Sequence, residues 1–297
     1  PVLSGENLCS IFNNSSFAIP DFSGRAIGND LYVLGVVENS RLDMPLDTFT
    51  VLYPTNFHAS PVDHFNFNIQ NGFLSQQDTD FYVSPDGDDN NSGLTPESPF
   101  KTIRHAFNIM MQPDSLNPRT IYLSDGVYSP LTNGDTFPLH MMDYVSIIGE
   151  SQDGVVLDAD SSSVIVADSV RHVTIENVTA TNGWAKSDDG GGLRINGSDV
   201  VLSNINVIGN KGYLGGGIFV SGSTLILQNI NIIENFSDFQ GAGMYIEDSD
   251  VEMYNMVFSQ NDLTDGFGVL IVDGGNISID GILIENHEVF DRFLIKI

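Results

Sequence analysis

A fixed period runs through the second half of the sequence and leaves few folds open to it. The segments HVTIENVTATNGWAKSDDGGGLRI, DVVLSNINVIGNKGYLGGGIFV, TLILQNINIIENFSDFQGAGMYI, DVEMYNMVFSQNDLTDGFGVLIV and NISIDGILIENHEVFDRFLIKI match position for position, at about 26 residues per repeat. One asparagine column comprises Asn177, Asn204, Asn229 and Asn255, with Gly281 in the fifth place. A second comprises Asn182, Asn210, Asn235, Asn261 and Asn286. Glycines at 190–192, 215–217, 241 with 243, and 266 with 268 open a fresh apolar strand in each repeat.

Between these markers the side chains alternate with period two, the signature of strands with one buried face. The inward set is Val173/Ile175, Val200/Leu202, Leu225/Leu227 and Val251/Met253, which leaves Thr174, Val201, Ile226 and Glu252 outside. Each repeat is then three short strands. A unit of that size cannot bury its apolar face alone, but units stacked at the strand spacing of about 4.8 Å bury a continuous column. The expected fold is all-β, a parallel β-solenoid with about 26 residues per coil. Asparagines repeated at one bend per coil are expected to stack and bond neighbouring backbone, a structural role.

Upstream, TIYLSDGVYSP, DYVSIIGE, GVVLDAD and SVIVADSV read as strands of the first, less regular coils. Before them Ser98 and Pro99 offer a helix start, and Ile103, Ala106, Phe107 and Met110 form an i, i+3, i+4, i+7 stripe. That helix is expected to cap the open end of the solenoid. Residues 1–78 lack the period and read as a small β-rich N-terminal module. Residues 79–297 are the solenoid, with a capping strand, loop and helix over 79–118 and coils over 119–297. The last segment, FLIKI, is the strand that follows the glycine corner in earlier repeats, so the solenoid is expected to be C-terminally truncated.

With 11 Lys and Arg against 39 Asp and Glu, the net charge of −28 argues against a nucleic-acid partner, which needs clustered cations for its phosphates. Hydrophobic residues at 41% and charged residues at 17% exclude general disorder. No apolar run reaches the roughly 18 residues that a membrane helix needs, so no membrane span is expected. Cys9 stands alone and forms no internal disulfide.

The stretch FYVSPDGDDNNSGLTPESPFKTIRHAF, followed by IYLSDGVY, resembles the opening of right-handed parallel β-helix proteins in the pectate-lyase-like superfamily. FPLHMMDYVSIIGE is similar to the segment that follows in a branch of that superfamily, while GGGIFV and FSQN resemble repeats of polymorphic outer-membrane proteins. Together these cover residues 80–297. The resemblance implies a right-handed β-helix and a secreted or cell-surface life among polysaccharides. It fixes no activity, since this fold hosts enzymes and adhesins alike.

In lyases of the superfamily the substrate groove lies over the strand after the glycine corner and the loop that leads into it. On that face, alternation turns Arg194, Phe219, Tyr245 and Leu270 outward, and the preceding loops carry Trp184, Lys186, Asp188, Asp189, Tyr213, Phe236, Asp238, Phe239, Asp262 and Asp265. Aromatic faces flanked by carboxylates suit sugar rings, so Trp184, Tyr213, Phe219, Phe236, Phe239 and Tyr245 are the candidate ligand-binding residues. Phe219 and Tyr245 could equally just pair along the sheet or pack beneath the loops. For β-elimination on a uronate, calcium held by Asp188 and Asp189 would acidify the proton that Lys186 or Arg194 abstracts. A second calcium pattern places Asp86, Asp88, Asn90 and Glu97 at loop positions 1, 3, 5 and 12, although Asn91 stands where the motif has glycine and a plain turn also explains the loop. The six histidines are dispersed without metal-ligand spacing.

The expected function is a secreted or cell-surface β-helix module, adhesin-like, that binds a polysaccharide or cell-surface glycan. The alternatives are a calcium-dependent lyase on the same face, with calcium as its cofactor, and a structural stalk without ligand.

Overall fold

The computed structural model describes residues 77–186, 188–263 and 268–286, together with the isolated strands Cys9–Ile11, Leu31–Leu34, Leu42–Phe49, Phe57–Ser60, Phe65–Ile69 and Ile295–Lys296. The chain divides into two compact units, Pro1–Gln76 and Gln77–Ile297. In the first unit every described pairing is parallel. Leu31–Leu34 pairs with Phe57–Ser60, and Leu42–Phe49 pairs with both Phe65–Ile69 and Cys9–Ile11.

The second unit is an all-β right-handed β-helix of about six turns. Every coil contributes strands to three faces. The first face stacks Leu139–His140, Ile165–Asp168, Leu193–Asn196, Ile218–Ser221 and then residues 244–247 and 270–273. The second stacks Phe81–Val83, Arg119–Leu123, Val145–Gly149 and then 173–176, 199–203, 224–228, 250–254 and 276–280. The third starts at Gly126–Tyr128 and Val155–Asp158 and continues through 178–181, 205–208, 230–233, 256–259 and 282–285. Val173, Val200, Leu225, Val251 and Ile277 lie in one column at steps of 27, 25, 26 and 26 residues. The expected inward set from Val173 to Met253 is buried, and Ile205, Ile230, Met256 and Phe258 fill the third face.

Two amide ladders hold the corners. At the bend between the second and third faces, Asn177, Asn204, Asn229 and Asn255 all adopt the left-handed conformation, φ 52–56°, and Gly281 takes the same turn at 84°. Asparagine tolerates this region and can bond along the stack. Asn204, Asn229 and Asn255 each donate through Nδ2 to the Oδ1 of the asparagine one coil earlier at 3.0–3.1 Å, and Asn177 Nδ2 donates to Gly149 O at 3.2 Å. The second ladder is buried. Asn210 donates through its backbone N and its Nδ2 to Asn235 Oδ1 at 3.0 Å, and Asn235 repeats the pattern onto Asn261.

The register of this second ladder corrects the sequence reading. Asn182 and Asn286 do not belong to it. They share a left-handed corner with Gly209, Glu234 and Gln260, one residue earlier, and Gly183 is the residue that faces Asn210, donating its N–H to Oδ1 at 2.8 Å. A further ladder of buried Ser198, Ser223 and Ser249 closes the turn between the first and second faces, with Ser198 N donating to Ser223 Oγ and Ser223 N to Ser249 Oγ.

The capping helix spans Ile103–Ile109, and its stripe of Ile103, Ala106 and Phe107, with Met110 just beyond, is buried as expected. It starts later than Ser98 and Pro99 suggest. Thr102 is the N-cap, Asp89 accepts from Lys101 N and Thr102 N, and the buried Asp135 accepts from Ile103 N and Arg104 N, so remote acids fix the start. The loop over 93–100 pairs with the outer edge of Phe81–Val83, where Tyr82 N donates to Gly93 O and Phe100 N to Tyr82 O.

Substitution of Asn235 by alanine removes the side-chain acceptor of Asn210 N, one of the two acceptors of Asn210 Nδ2, which keeps Ala180 O, and the side-chain donor to Val207 O inside the core. Urea unfolding should show a loss of about 3–5 kcal/mol for Asn235→Ala. The exposed-ladder change Asn229→Gly, which keeps the left-handed turn, should lose about 1 kcal/mol or less.

Candidate functional site

Between the third and first faces each coil crosses a lateral loop, and these loops form a small sheet of their own. Lys211–Leu214, Phe236–Gln240 and Asp262–Leu263 pair in parallel, and Trp184 joins the edge through a bridge to Lys211. Close approach explains the glycines beside this sheet. A Cβ on Gly191 would lie 2.3 Å from Lys211 O, and one on Gly216 would lie 2.2 Å from Phe236 O. Asp265 and Gly266 lie outside the described residues.

The lateral sheet displays aromatic rings. Trp184, Tyr213 and Phe239 remain 43%, 45% and 42% exposed, large values for rings within a regular stack. Tyr213 and Phe239 stack with centroids 5.4 Å apart and planes 11° from parallel. Each of the two lysines here lies over a ring, Lys186 Nζ 5.4 Å from the centroid of Trp184 and Lys211 Nζ 4.7 Å from that of the half-buried Phe236. Lys211 is also paired with Asp238 at 3.0 Å. The surface therefore combines open ring area with carboxylates that can accept hydroxyl hydrogens.

Two of the expected ligand-binding residues lie elsewhere. Phe219 and Tyr245 do turn out of the coil and stack, centroids 5.9 Å apart, but they are packed with Ile271 beneath Leu214 and only 6% and 7% exposed. They pack beneath the loops and offer no open face. The fourth member of their column is Ile271, which pairs with Tyr245, whereas Leu270 pairs with Met244 and points into the core. Burial pushes the Tyr245 hydroxyl up from its ordinary pKa, with Asp273 and Glu247 adding to the effect, so it stays a neutral phenol.

The proposed catalytic and metal-binding groups are held by one another. Arg194 pairs with Asp188 through Nη1 and with Asp168 through Nη2 at 2.9 Å. A guanidinium held by two carboxylates is a poor proton acceptor. Asp189 accepts from Leu214 N at 3.0 Å, and burial lifts its carboxyl above the usual range against the pull of that bond. Asp188 and Asp189 thus face different partners and do not fit a shared calcium ion. Lys186 is exposed and makes no ion pair among the described residues.

In the loop before the helix, Asp88 accepts from the backbone and side-chain N–H groups of Asn90, which hold its carboxyl below the usual range. Of the four expected ligands, Asp88 and Asn90 bond each other in a turn, and the acid with a structural task is the neighbouring Asp89. Among the described residues no three His, Cys, Asp or Glu side chains converge as a metal site would require. A shallow groove of about 290 Å³ lies on the second face, bordered by Thr224, Ile226, Asp250, Glu252, Asn276 and Ser278, away from the aromatic surface.

The model of the right-handed β-helix region matches residues 140–291, just over half of the chain. The chain belongs to the right-handed β-helix family. A second model, described as a protein of unknown function (DUF1565), matches residues 85–168, which takes in the start of this β-helix and its cap. No curated protein matches the chain. Solved β-helix structures similar to it include the pectin methylesterase PemA from Erwinia chrysanthemi, at 18% identity and a TM-score of 0.40 over 60% of this chain and 55% of that one. A pectin methylesterase in complex with hexasaccharide VII gives 16% and 0.41 over 64% and 70%, and a rhamnogalacturonan lyase 12% and 0.36 over 70% and 62%. The chain thus spans about half the length of PemA, and identities this low carry no site residue from these enzymes onto it.

The two stacks of rings should respond differently to truncation. Phe219→Ala should lower unfolding stability by about 3–4 kcal/mol, as for a buried ring, while Trp184→Ala should change it by less than about 1 kcal/mol. Urea titration followed by circular dichroism distinguishes them.

Proposed function

We propose that this β-helix binds a polysaccharide or cell-surface glycan along its lateral loops, as an adhesin-like module outside the cell. The observation that supports the reading is the row of exposed rings Trp184, Tyr213 and Phe239 on consecutive lateral loops. Such a row is expensive to leave in water and unnecessary for the coil, whose rings at 219 and 245 are packed away. Sugar rings place C–H groups on aromatic faces, and their hydroxyls need acceptors, which Asp188, Asp238 and the exposed Asp262 supply nearby. The stacking of Tyr213 on Phe239 leaves their outer faces and edges for a ligand.

A calcium-dependent lyase acting on uronates is the second reading, and the exposed ammonium of Lys186 over Trp184 is the observation in its favour. Against it stand the engagement of Arg194 by Asp168 and Asp188 and the separate bonding of Asp189.

A glycan array followed by calorimetry tests the proposal. Wild type should retain a glycan that Trp184→Ala binds about tenfold more weakly, a loss of about 1.4 kcal/mol. Mixing the protein with pectate and alginate, with calcium or with chelator, should give no ultraviolet absorbance from unsaturated uronate ends. Calcium-dependent growth of that absorbance would replace binding by lyase chemistry, and an empty array would leave a stalk.

A further inference from the structure

We infer that Arg194 is a positioning residue: it fastens the Trp184 loop to the first face of the β-helix, and the residues resembling a lyase base and its metal ligands are the parts of that clamp. Arg194 occupies the outward column that continues as Phe219, Tyr245 and Ile271. Higher in the column, apolar side chains stack on one another beneath Leu214. At this coil an arginine stands in their place, its side chain only 16% exposed.

The lateral loop served by Arg194 needs a tether more than the others do. It spans residues 182–192, against 209–217 and 234–243 in the next coils, and its one ladder bridge to the lateral sheet is that of Trp184 to Lys211. Its backbone is held at Trp184 and Ala185 by Ser162 O and Lys211 O, and at Gly190 by Leu214 O. Between these points the clamp holds the side chain of Asp188. Arg194 Nη1 donates to Asp188, Nη2 donates to Asp168, and Asp168 is itself fixed by Asn196 Nδ2 at 3.1 Å. Asp188 O then accepts from Tyr213 N, and Asp189 Oδ1 accepts from Leu214 N. A planar guanidinium suits this task because it can hold one carboxylate on each nitrogen at fixed angles, which an ammonium cannot. The same clamp ties the segment after Trp184 to the strand that carries Tyr213, so it sets two of the three exposed rings.

Trp184 is the only tryptophan in the chain, so its fluorescence reports on this loop directly. In the full chain, Arg194→Gln and Asp188→Ala should each raise the acrylamide quenching constant of Trp184 about twofold, as a locally released segment does, with the far-ultraviolet β signal retained. Arg194→Lys should fall between wild type and Arg194→Gln. Asp188 is half-exposed, so its variant decides the question if Arg194→Gln fails to fold. Unchanged quenching in Asp188→Ala, or a rise seen only with loss of the β signal, overturns the clamp. Acrylamide reads the loop without any glycan, so this result is independent of the binding function proposed above.

Discussion

The structure depends on one constraint: each coil lies in register on the next, so every position in the repeat becomes a column of like on like at about 4.8 Å. Apolar columns are the easy case, and two on each face line the core. Charged columns are the hard case, because like charges directly opposite on neighbouring strands destabilise a sheet. A chain with 39 acidic residues gains by separating them, and it does so at several places, although Glu247 lies opposite Asp273. On the second face Thr224 stands between Asp199 and Asp250, and Asn276 follows, donating to Asp250 at 2.7 Å. On the first face Asn196 and Ser221 stand between Asp168 and Glu247, each donating to its acidic neighbour. Asparagine and serine thus do two tasks in this molecule: they close turns, and they insulate carboxylates.

The same stacking rule produces both aromatic rows, and what distinguishes them is what lies above. Phe219 and Tyr245 sit where the lateral loop folds back, so Leu214 covers them. Tyr213 and Phe239 sit on the loop itself and stay 45% and 42% exposed. One row adds to the core and the other is left to the surface, although the residue types are nearly the same.

Much of the fold could be read from the sequence because period and alternation are local signals that recur. The inward columns, the coil length and the stripe of the capping helix all follow from them. Register was harder. Asn182 was placed one residue out because the corner before the buried amide ladder can be glycine, glutamate, glutamine or asparagine, and only the left-handed backbone identifies it. Leu270 was exchanged with Ile271 for a similar reason, since lateral loops of varying length hide the start of the next strand. The burial of Phe219 depends in part on Tyr245 and Ile271 of later coils, and one of the two partners of Arg194, Asp168, lies 26 residues away in the coil before. The start of the helix is not a local signal, because Asp89 and Asp135, which fix it, are remote in sequence. The serine ladder at 198, 223 and 249 had a clear period and could have been found with the asparagines.

The closed start of the β-helix gives the molecule a direction. The loop over 93–100 takes up the spare hydrogen bonds of the strand Phe81–Val83, and the helix Ile103–Ile109 covers apolar side chains beside it. The outer edge of Phe81–Val83 is thereby occupied by the chain's own loop, which is one way a sheet guards an end strand against pairing with another molecule.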